Sequence, residues 1–557
     1  VSQFAPEDSQ GSIDLVSNGD ITFEADRDQD GAGDLVFRTG GVERARIKHD
    51  GSGTGWPNVL GGSISYVHPS GGDDAALLGA ALPDVGLRAS ASYLIPNGWT
   101  IAGQAIIEGR GMGAPLQSGT FWQDALSSLS CATDGTDGVT LTAAGTYCDK
   151  FGVVCTVAAP TGGAGFHWNG AHGFRARDIS SKGFYYGARV ESSTTYVLDG
   201  FLIVDPQQYG LYIGGSDNGD GVVSNGYIYT NSKAPTSAIR WEGGGGVKFE
   251  HVKVNQLQGN AWTNGIDIHA LAATNTGELS FADCIIDWCS YGVLVNCDAG
   301  GTLQELRFCD CSIKGSHILT NGYLVRSAGN QIVGLEIKGG LVKMAPSSST
   351  GVGSAFDIDN VDSVTIDGVD VIGVAAGVPI VKLGANVNAA VVRLGTIRAT
   401  RSSKSYANGA SVILLEMDGG GHNIAYGGGA GVSQFTATMP SQTIAKAAFT
   451  NIWTVDVNSG AAVDITLNAI YNSGGVYRNV IQRRSLRRTG PGTASIATIG
   501  TDFADPASEV DIQWTVSGST VTIAAQIDAA SAASSMTGYS TLGVVGLPKT
   551  ITAVVGA

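Results

Sequence analysis

The chain is poor in charge, and poorest in positive charge. Only 15% of its 557 residues are charged, with 33 lysines and arginines against 49 acidic residues, for a formal net charge of −16 at pH 7. Such a field repels nucleic acid and anionic lipid, and disfavours a strongly polyanionic ligand unless arginines reverse it locally. No run of about 18 apolar residues occurs, so no membrane-spanning helix or membrane insertion is expected. No charged-then-apolar leader opens the sequence, although its first residue is Val1. The eight cysteines include no CxxC pair and no histidine at zinc spacing. No serine or cysteine nucleophile is identifiable by motif, and no cofactor is required by any. Helical periodicity is scarce.

Glycine is abundant instead, at 81 residues without a collagen triplet. Between about Phe174 and Met417 it punctuates a repeat. Tyr196–Ile203, Val247–Val254, Leu279–Ile286, Leu306–Ile313 and Val364–Val371 are copies of one short strand, spaced by about 22 to 32 residues. A second strand recurs in each copy: Gly187–Glu191, Gly210–Gly214, Ala238–Glu242, Gly265–His269, Gly292–Asn296, Gly322–Arg326 and Ala355–Asp359. Apolar residues alternate within both strands, so one face turns to a core and the other to solvent. With Gly, Asn, Asp and Ser in the turns, the fold class is all-β: a right-handed parallel β-helix, one repeat per coil. Cys284 and Cys311 share an inward position of consecutive coils, which predicts stacked core thiols and assembly in a reducing cytoplasm. Cys131, Cys148 and Cys155 lie elsewhere, and one bridge among them is possible.

Residues 1–60 carry the short strands Ile13–Val16, Ile21–Glu24, Leu35–Arg38 and Ala45–Lys48, too thin for a core of their own. Asp26, Asp28, Asp30 and Asp34, with Gly31 between them, have the oxygen-ligand spacing of a Ca²⁺ loop, but Phe37 replaces its closing glutamate. A solvated hairpin turn is the alternative.

From Tyr66 the texture changes. Gly72-Asp73-Asp74 precedes a predicted helix near 74–82, which Asp74 could cap, followed by Tyr93-Leu94-Ile95-Pro96-Asn97-Gly98 and Ile106-Ile107-Glu108-Gly109-Arg110-Gly111. This order resembles the opening of pectate-lyase-like β-helices in bacteriophage tailspikes and depolymerases, in which a Gly-Asp-Asp helix plugs the first coil. The usual Gly-x-Gly-Asp-Gly run is shortened here to Gly71-Gly72, and the motif names no catalytic residue. Residues 112–165 read as an irregular excursion before the regular coils.

Gly427-Gly428-Gly429 marks a boundary. Residues 61–431 form the predicted β-helix; 432–557, with strands near Ile452–Val457, Val463–Leu467, Val476–Gln482, Val510–Val516 and Val521–Ile527, form a predicted C-terminal β-sandwich. Arg483, Arg484, Arg487 and Arg488 cluster there, as a solvated hairpin or as a glycan or partner contact.

In a parallel solenoid, matched residues of neighbouring coils stack about 4.8 Å apart, so alignment becomes geometry. The outward residues of the second-strand column include Glu191, Gly214, Glu242 and His269 in one file, and Arg189, Tyr212, Arg240 and Asp267 in the next. Glu191 and Glu242 are then about 9.6 Å apart along the backbone, with Gly214 leaving a gap. Side chains can bring the carboxyls within the roughly 6.5–9.5 Å of inverting glycoside hydrolysis, one protonating the leaving oxygen and the other activating water. Glu242 with Asp267 is an overlapping pair. Tyr212 could stack on a sugar, Arg189 and Arg240 could hold hydroxyls or a sugar carboxylate, and His269 could serve as acid, base or ion-pair partner. Charge placed for solubility, with Arg240–Asp267 a simple cross-strand pair, is the plainer reading. A second patch, His251, Asp283 and Asp310 with Asp287 and Trp288 nearby, reads more simply as support for the bend. Trp241 reads as core, whereas Trp262 and Trp288 are stacking candidates.

The resemblance implies a homotrimeric spike on the phage tail, attached through residues 1–60 to tail, baseplate or adaptor proteins, with a C-terminal region for trimerisation or receptor binding. Its partner would be a bacterial surface polysaccharide, and its site could lie between subunits. A glycosidase suits the paired carboxylates; a polysaccharide lyase and a non-catalytic adhesin are the alternatives.

Overall fold

The computed structural model describes residues 35–39, 42–47, 53–54, 65–88, 91–110 and 127–553, the last stretch less short loop segments of which 345–352 is the longest. The chain falls into two compact units, Val1–Gln207 and Gln208–Ala557. This division falls inside the repeat rather than near 60 and 431, where composition changes.

In the first unit, Leu35–Thr39 and Val42–Ile47 pair antiparallel, with Gly53–Thr54 added alongside. The helix is shorter than predicted, Ala75–Ala80, and Asp74 does not cap it with its side chain. Fully buried Asp74 instead accepts hydrogen bonds from Ser70 N and Oγ (2.7 and 2.5 Å) and from Leu94 N (2.9 Å), tying the helix entry to the first coil, while Asp73 takes the Ala75 amide (3.0 Å).

Residues 127–165 are not an excursion. Val139–Leu141 pairs in parallel with Trp99–Ile101 on one side and Ala164–Asn169 on the other, and Ala164–Asn169 pairs with Tyr186–Glu191. Ser127–Cys131 and Gly152–Cys155 pair likewise. These are regular coils whose small residues, Gly138 and Gly165 among them, weakened their pattern. Phe166, Trp168, Phe174 and Tyr196 stack in series inside, with centroids 5.6, 4.6 and 5.0 Å apart.

The second unit carries the longer ladder. Ile213, Trp241, Ile268, Val295, Val325 and Ile358 align in register as the alternation predicts, and Trp241 is fully buried. Phe249, Phe281 and Phe308 align on the other column, their rings stacked at 4.5 and 5.0 Å. His251, Asp283, Asp310, Gly339 and Gly368 occupy one bend position with φ of 55, 52, 53, 61 and 68°. Asp and Gly recur there because that left-handed backbone is tolerated best by Gly, Asn and Asp. The His251 patch is thus a file of turn residues. All eight cysteines are free thiols.

After Val432 the pairing turns antiparallel. Val432–Ala445 extends the solenoid sheet by pairing in parallel with Val412–Asp418, and on its other edge pairs antiparallel with Ser535–Gly546. Ala461–Ser473 joins Ser535–Gly546 to Val476–Arg488, while Thr450–Val457, Val510–Ser517, Thr520–Ile527 and Pro548–Ala553 make the facing antiparallel set. This is the predicted sandwich-like region. Within it Arg484 forks onto Asp502 (2.6 and 2.6 Å) over the Trp514 ring, and Arg488 donates to the Gly492 and Val457 carbonyls, so both make contacts inside the C-terminal region, including to the facing strands.

The close stacking has a cost for side chains at one position. A Cβ at Gly292 would meet Ile313 Cγ2 at 2.2 Å and the Gly322 carbonyl at 2.5 Å, and Gly210, Gly265 and Gly322 are equally confined. Gly292→Ala is expected to lower stability by about 1–3 kcal/mol, the range for overpacking. A urea titration checks this; an unchanged midpoint would show that the coils separate freely.

Candidate active site

Each unit carries one polar network on the outward face of its own second strands. In the second unit, Tyr209–Gly214, Ser237–Glu242, Trp262–Ala270 and Cys289–Cys297 are successive parallel strands, with Tyr212, Arg240 and Asp267 in register. Glu242 accepts from Tyr212 Oη (2.5 Å) on one oxygen and from Arg240 Nε and Nη2 (2.8 and 2.5 Å) on the other. Arg240 also reaches Asp267 (2.7 Å) and donates to His269 Nδ1 (2.7 Å). His269 Nε2 in turn faces Asp298 (2.9 Å). Because a guanidinium can only donate, the network assigns the Nδ1 lone pair of His269 to Arg240 and turns its Nε2 to Asp298.

This geometry changes several roles. Gly214 does not leave an open gap: its Cβ would lie 2.5 Å from Tyr212 Oη, so the glycine makes room for the tyrosine ring that reaches Glu242. Asp267, outward by alternation, is only 2% exposed, covered by Arg240 and bonded by Ser237 Oγ (2.9 Å) and Asn264 Nδ2 (3.2 Å). It braces Arg240 and does not face a ligand. Arg240 is committed to two carboxylates and a histidine, which leaves it an organiser of the site rather than a clamp on substrate.

Glu191 lies in the first unit with partners of its own. His167, on Ala164–Asn169, points Nδ1 at Asp137 (2.6 Å) and Nε2 at Glu191 (2.8 Å), and Arg189 donates to the other Glu191 oxygen (2.7 Å). Asp137 is fixed further by the Ala164 amide (2.8 Å) and Thr140 Oγ1 (3.1 Å). Burial opposes a charged His167, but its bonds to Asp137 and Glu191 prevail and raise its pKa. Burial likewise works against ionised Asp137, and the His167 bond and charge outweigh it, holding the carboxyl below its ordinary value. Glu191 is lowered chiefly by its bond from His167. The result is an imidazolium between two carboxylates.

His167, Asp137 and Asp298 are absent from the residues the sequence nominated. His167 follows Gly165-Phe166 as Arg189 follows Gly187-Ala188, so recognising residues 127–165 as coils would have placed it in the Arg189 file. Trp262 is a correction: its strand begins at Trp262 rather than Gly265, which puts the indole in phase with Ile266 and Ile268 and buries it fully, its N–H donated to the Asn255 carbonyl (3.1 Å). Trp288 is half-buried at a left-handed turn, with φ 59°. Asp26, Asp28, Asp30 and Asp34, the Ca²⁺ candidates, lie outside the described residues. Among the described residues no group of three or more His, Cys, Asp or Glu is placed to hold a metal ion, and no helix is long and apolar enough to cross a membrane.

The fold and these networks define a right-handed parallel β-helix with a polar face built across its rungs. Residues 164–340 match the family described as right handed beta helix region. No curated protein matches by sequence. Among solved structures, the chain is similar to the tailspike protein of Acinetobacter phage vB_ApiP_P1, at 11% identity over 87% of this chain and 86% of that one, with a TM-score of 0.31. It is also similar to the enzymatically active domain of bacteriophage CBA120 tailspike protein 2 (11%, 86% and 81%, TM-score 0.39) and to the catalytic domain of a GH87 alpha-1,3-glucanase in complex with nigerose (11%, 62% and 68%, TM-score 0.41).

The first network makes stability depend on pH. His167, raised from 6.5, contributes fully below that value and less as pH rises through its folded pKa. Asp137 and Glu191, lowered from 3.8 and 4.5, contribute fully above those values and less as pH falls through their folded ones. The stability gap between the wild type and His167→Gln is therefore expected to be widest between about pH 4.5 and 6.5 and to narrow on both sides. Melting temperatures across pH 3–9 check this, and a gap of constant size would remove the imidazolium from the account.

Proposed function

We propose that the chain is a phage tail spike that binds a bacterial surface polysaccharide along this face and cleaves it by hydrolysis. The observation that carries the reading is Glu242, a partly exposed carboxylate held by three donors across two adjacent rungs. Such donors fix its orientation, which suits a carboxylate to activating water or stabilising positive charge at a sugar carbon. Motifs between residues 66 and 111 support the spike assignment by resemblance, and with it a homotrimer docked through the N-terminal residues to tail proteins.

Local charge favours hydrolysis over elimination. Around Glu242 three carboxylates, Glu242, Asp267 and Asp298, share one arginine and His269. A lyase needs a cation free to neutralise a uronate, and Arg240 is spent on protein carboxylates. A neutral sugar fits better. One observation favours a spike that binds without turnover: both Glu242 oxygens already accept from protein donors.

One assay separates these readings. Polysaccharides from a bacterial panel, incubated with the protein, are expected to release reducing ends without the ultraviolet absorbance of unsaturated sugars. Glu242→Gln is expected to lower that release by about 10²–10⁴-fold with binding and melting temperature retained. Full activity in this variant would sink the assignment; binding with no fragments from the wild type would establish the adhesin.

A further inference from the structure

We propose that Glu191 donates a proton to the glycosidic oxygen of a sugar chain bound over the first unit, loaded by His167, and that Asp137 is the positioning residue that holds the imidazole to this task. The proposal rests on the hydrolytic reading. Hydrolysis of a glycosidic bond needs an acid at the leaving oxygen, and a carboxylate that is ionised at rest cannot serve until a proton reaches it.

The geometry supplies the proton and its path. Both His167 nitrogens face carboxylate oxygens, so both carry hydrogen, one more than a neutral imidazole holds. The charged groups facing the ring are Asp137, from the turn before Val139–Leu141, and Glu191 and Arg189, from Tyr186–Glu191. The side chain of His167 is 10% exposed and those of Glu191 and Asp137 are each 21%, so the histidine is the most covered of the three. Besides the imidazole, Asp137 is anchored by the Ala164 amide and Thr140 Oγ1 and Glu191 by Arg189, so that Asp137 is the fixed carboxylate and Glu191 the one on a side chain that can turn to a ligand. Arg189 occupies Glu191 Oε1, leaving Oε2 for the proton.

A sugar chain lying over Glu191 excludes water, and loss of water penalises the ion pair relative to a neutral acid and imidazole. The proton on His167 Nε2 then passes to Glu191 Oε2. Glu191 gives it to the glycosidic oxygen as the carbon–oxygen bond breaks, the bonding pair remaining on that oxygen, which leaves as a hydroxyl. Water adds to the sugar carbon and sheds a proton to solvent, from which His167 recovers one. Asp137 stays ionised throughout, anchored by Thr140 Oγ1 and the Ala164 amide, and keeps Nε2 aimed at Glu191.

The test is kcat/KM against pH, by reducing-end release, for the wild type, His167→Gln and Asp137→Asn on a polysaccharide from the panel. The wild type is expected to lose activity at alkaline pH as His167 loses its proton. Asp137→Asn removes a charge that favours the imidazolium and is expected to move that alkaline limb to lower pH with KM little changed. His167→Gln is expected to lower kcat by about 10²-fold or more and to abolish the limb. Alkaline limbs that superimpose in wild type and Asp137→Asn overturn the relay while leaving hydrolysis standing, as does a uniform fall at every pH. No product from the wild type on any polysaccharide overturns the hydrolytic reading and the relay with it. Asp137→Asn retains shape and imidazole, so it decides the matter if His167→Gln fails to fold.

Discussion

Everything in this molecule depends on parallel registration of one coil upon the next. Strands about 4.8 Å apart place like upon like, and each file of side chains must tolerate its own repetition. Apolar files do so easily: the rings of Phe249, Phe281 and Phe308 stack nearly parallel, and burial of their faces is shared down the ladder. The glycine file tolerates nothing larger without movement, because the carbonyl of the following rung stands where a methyl group would go. The bend file accepts Asp and Gly because its backbone is left-handed. The repeat seen in sequence is therefore a set of separate steric demands.

Charge obeys a different rule in the same lattice. Identical charges on adjacent rungs repel, so a polar file must alternate or find partners sideways. Arg240 does both, meeting Glu242 on its own strand and Asp267 on the next, and it draws His269 into line. Farther along, Asp357 lies between Arg326 and Lys382 for the same reason. A catalytic group on such a face inherits rigid neighbours from its rungs, the preorganisation that chemistry on a long polymer requires.

Most of the fold was legible because alternation and repeat spacing report burial directly. Ile213, Trp241, Ile268 and Val295 align as their spacing demands. What was misread has physical causes. Residues 127–165 build coils from small residues, so the apolar signal was faint there, and His167 and Asp137 were lost with them. Trp262 was misplaced by three residues of strand, enough to turn a surface candidate into core. Asp267 obeyed alternation but was buried by a neighbouring side chain, an effect no single strand reveals. Candidate carboxylates were legible as positions; their partners, which decide what each can do, come from other rungs.

Those partners also distinguish the two glutamates. Glu242 is surrounded by donors that cannot give up a proton readily: a guanidinium, which stays charged, and a phenol, which is a weak acid. Glu191 is bonded to the one side chain whose ordinary pKa lies near neutrality. A fixed positive charge stabilises a carboxylate in all circumstances, whereas a titratable one stabilises it only until water leaves. Glu191 is thereby built to become an acid when covered, whereas the donors on Glu242 serve to orient it. The same outward strand position, given different neighbours in each unit, yields two different reagents from one residue type.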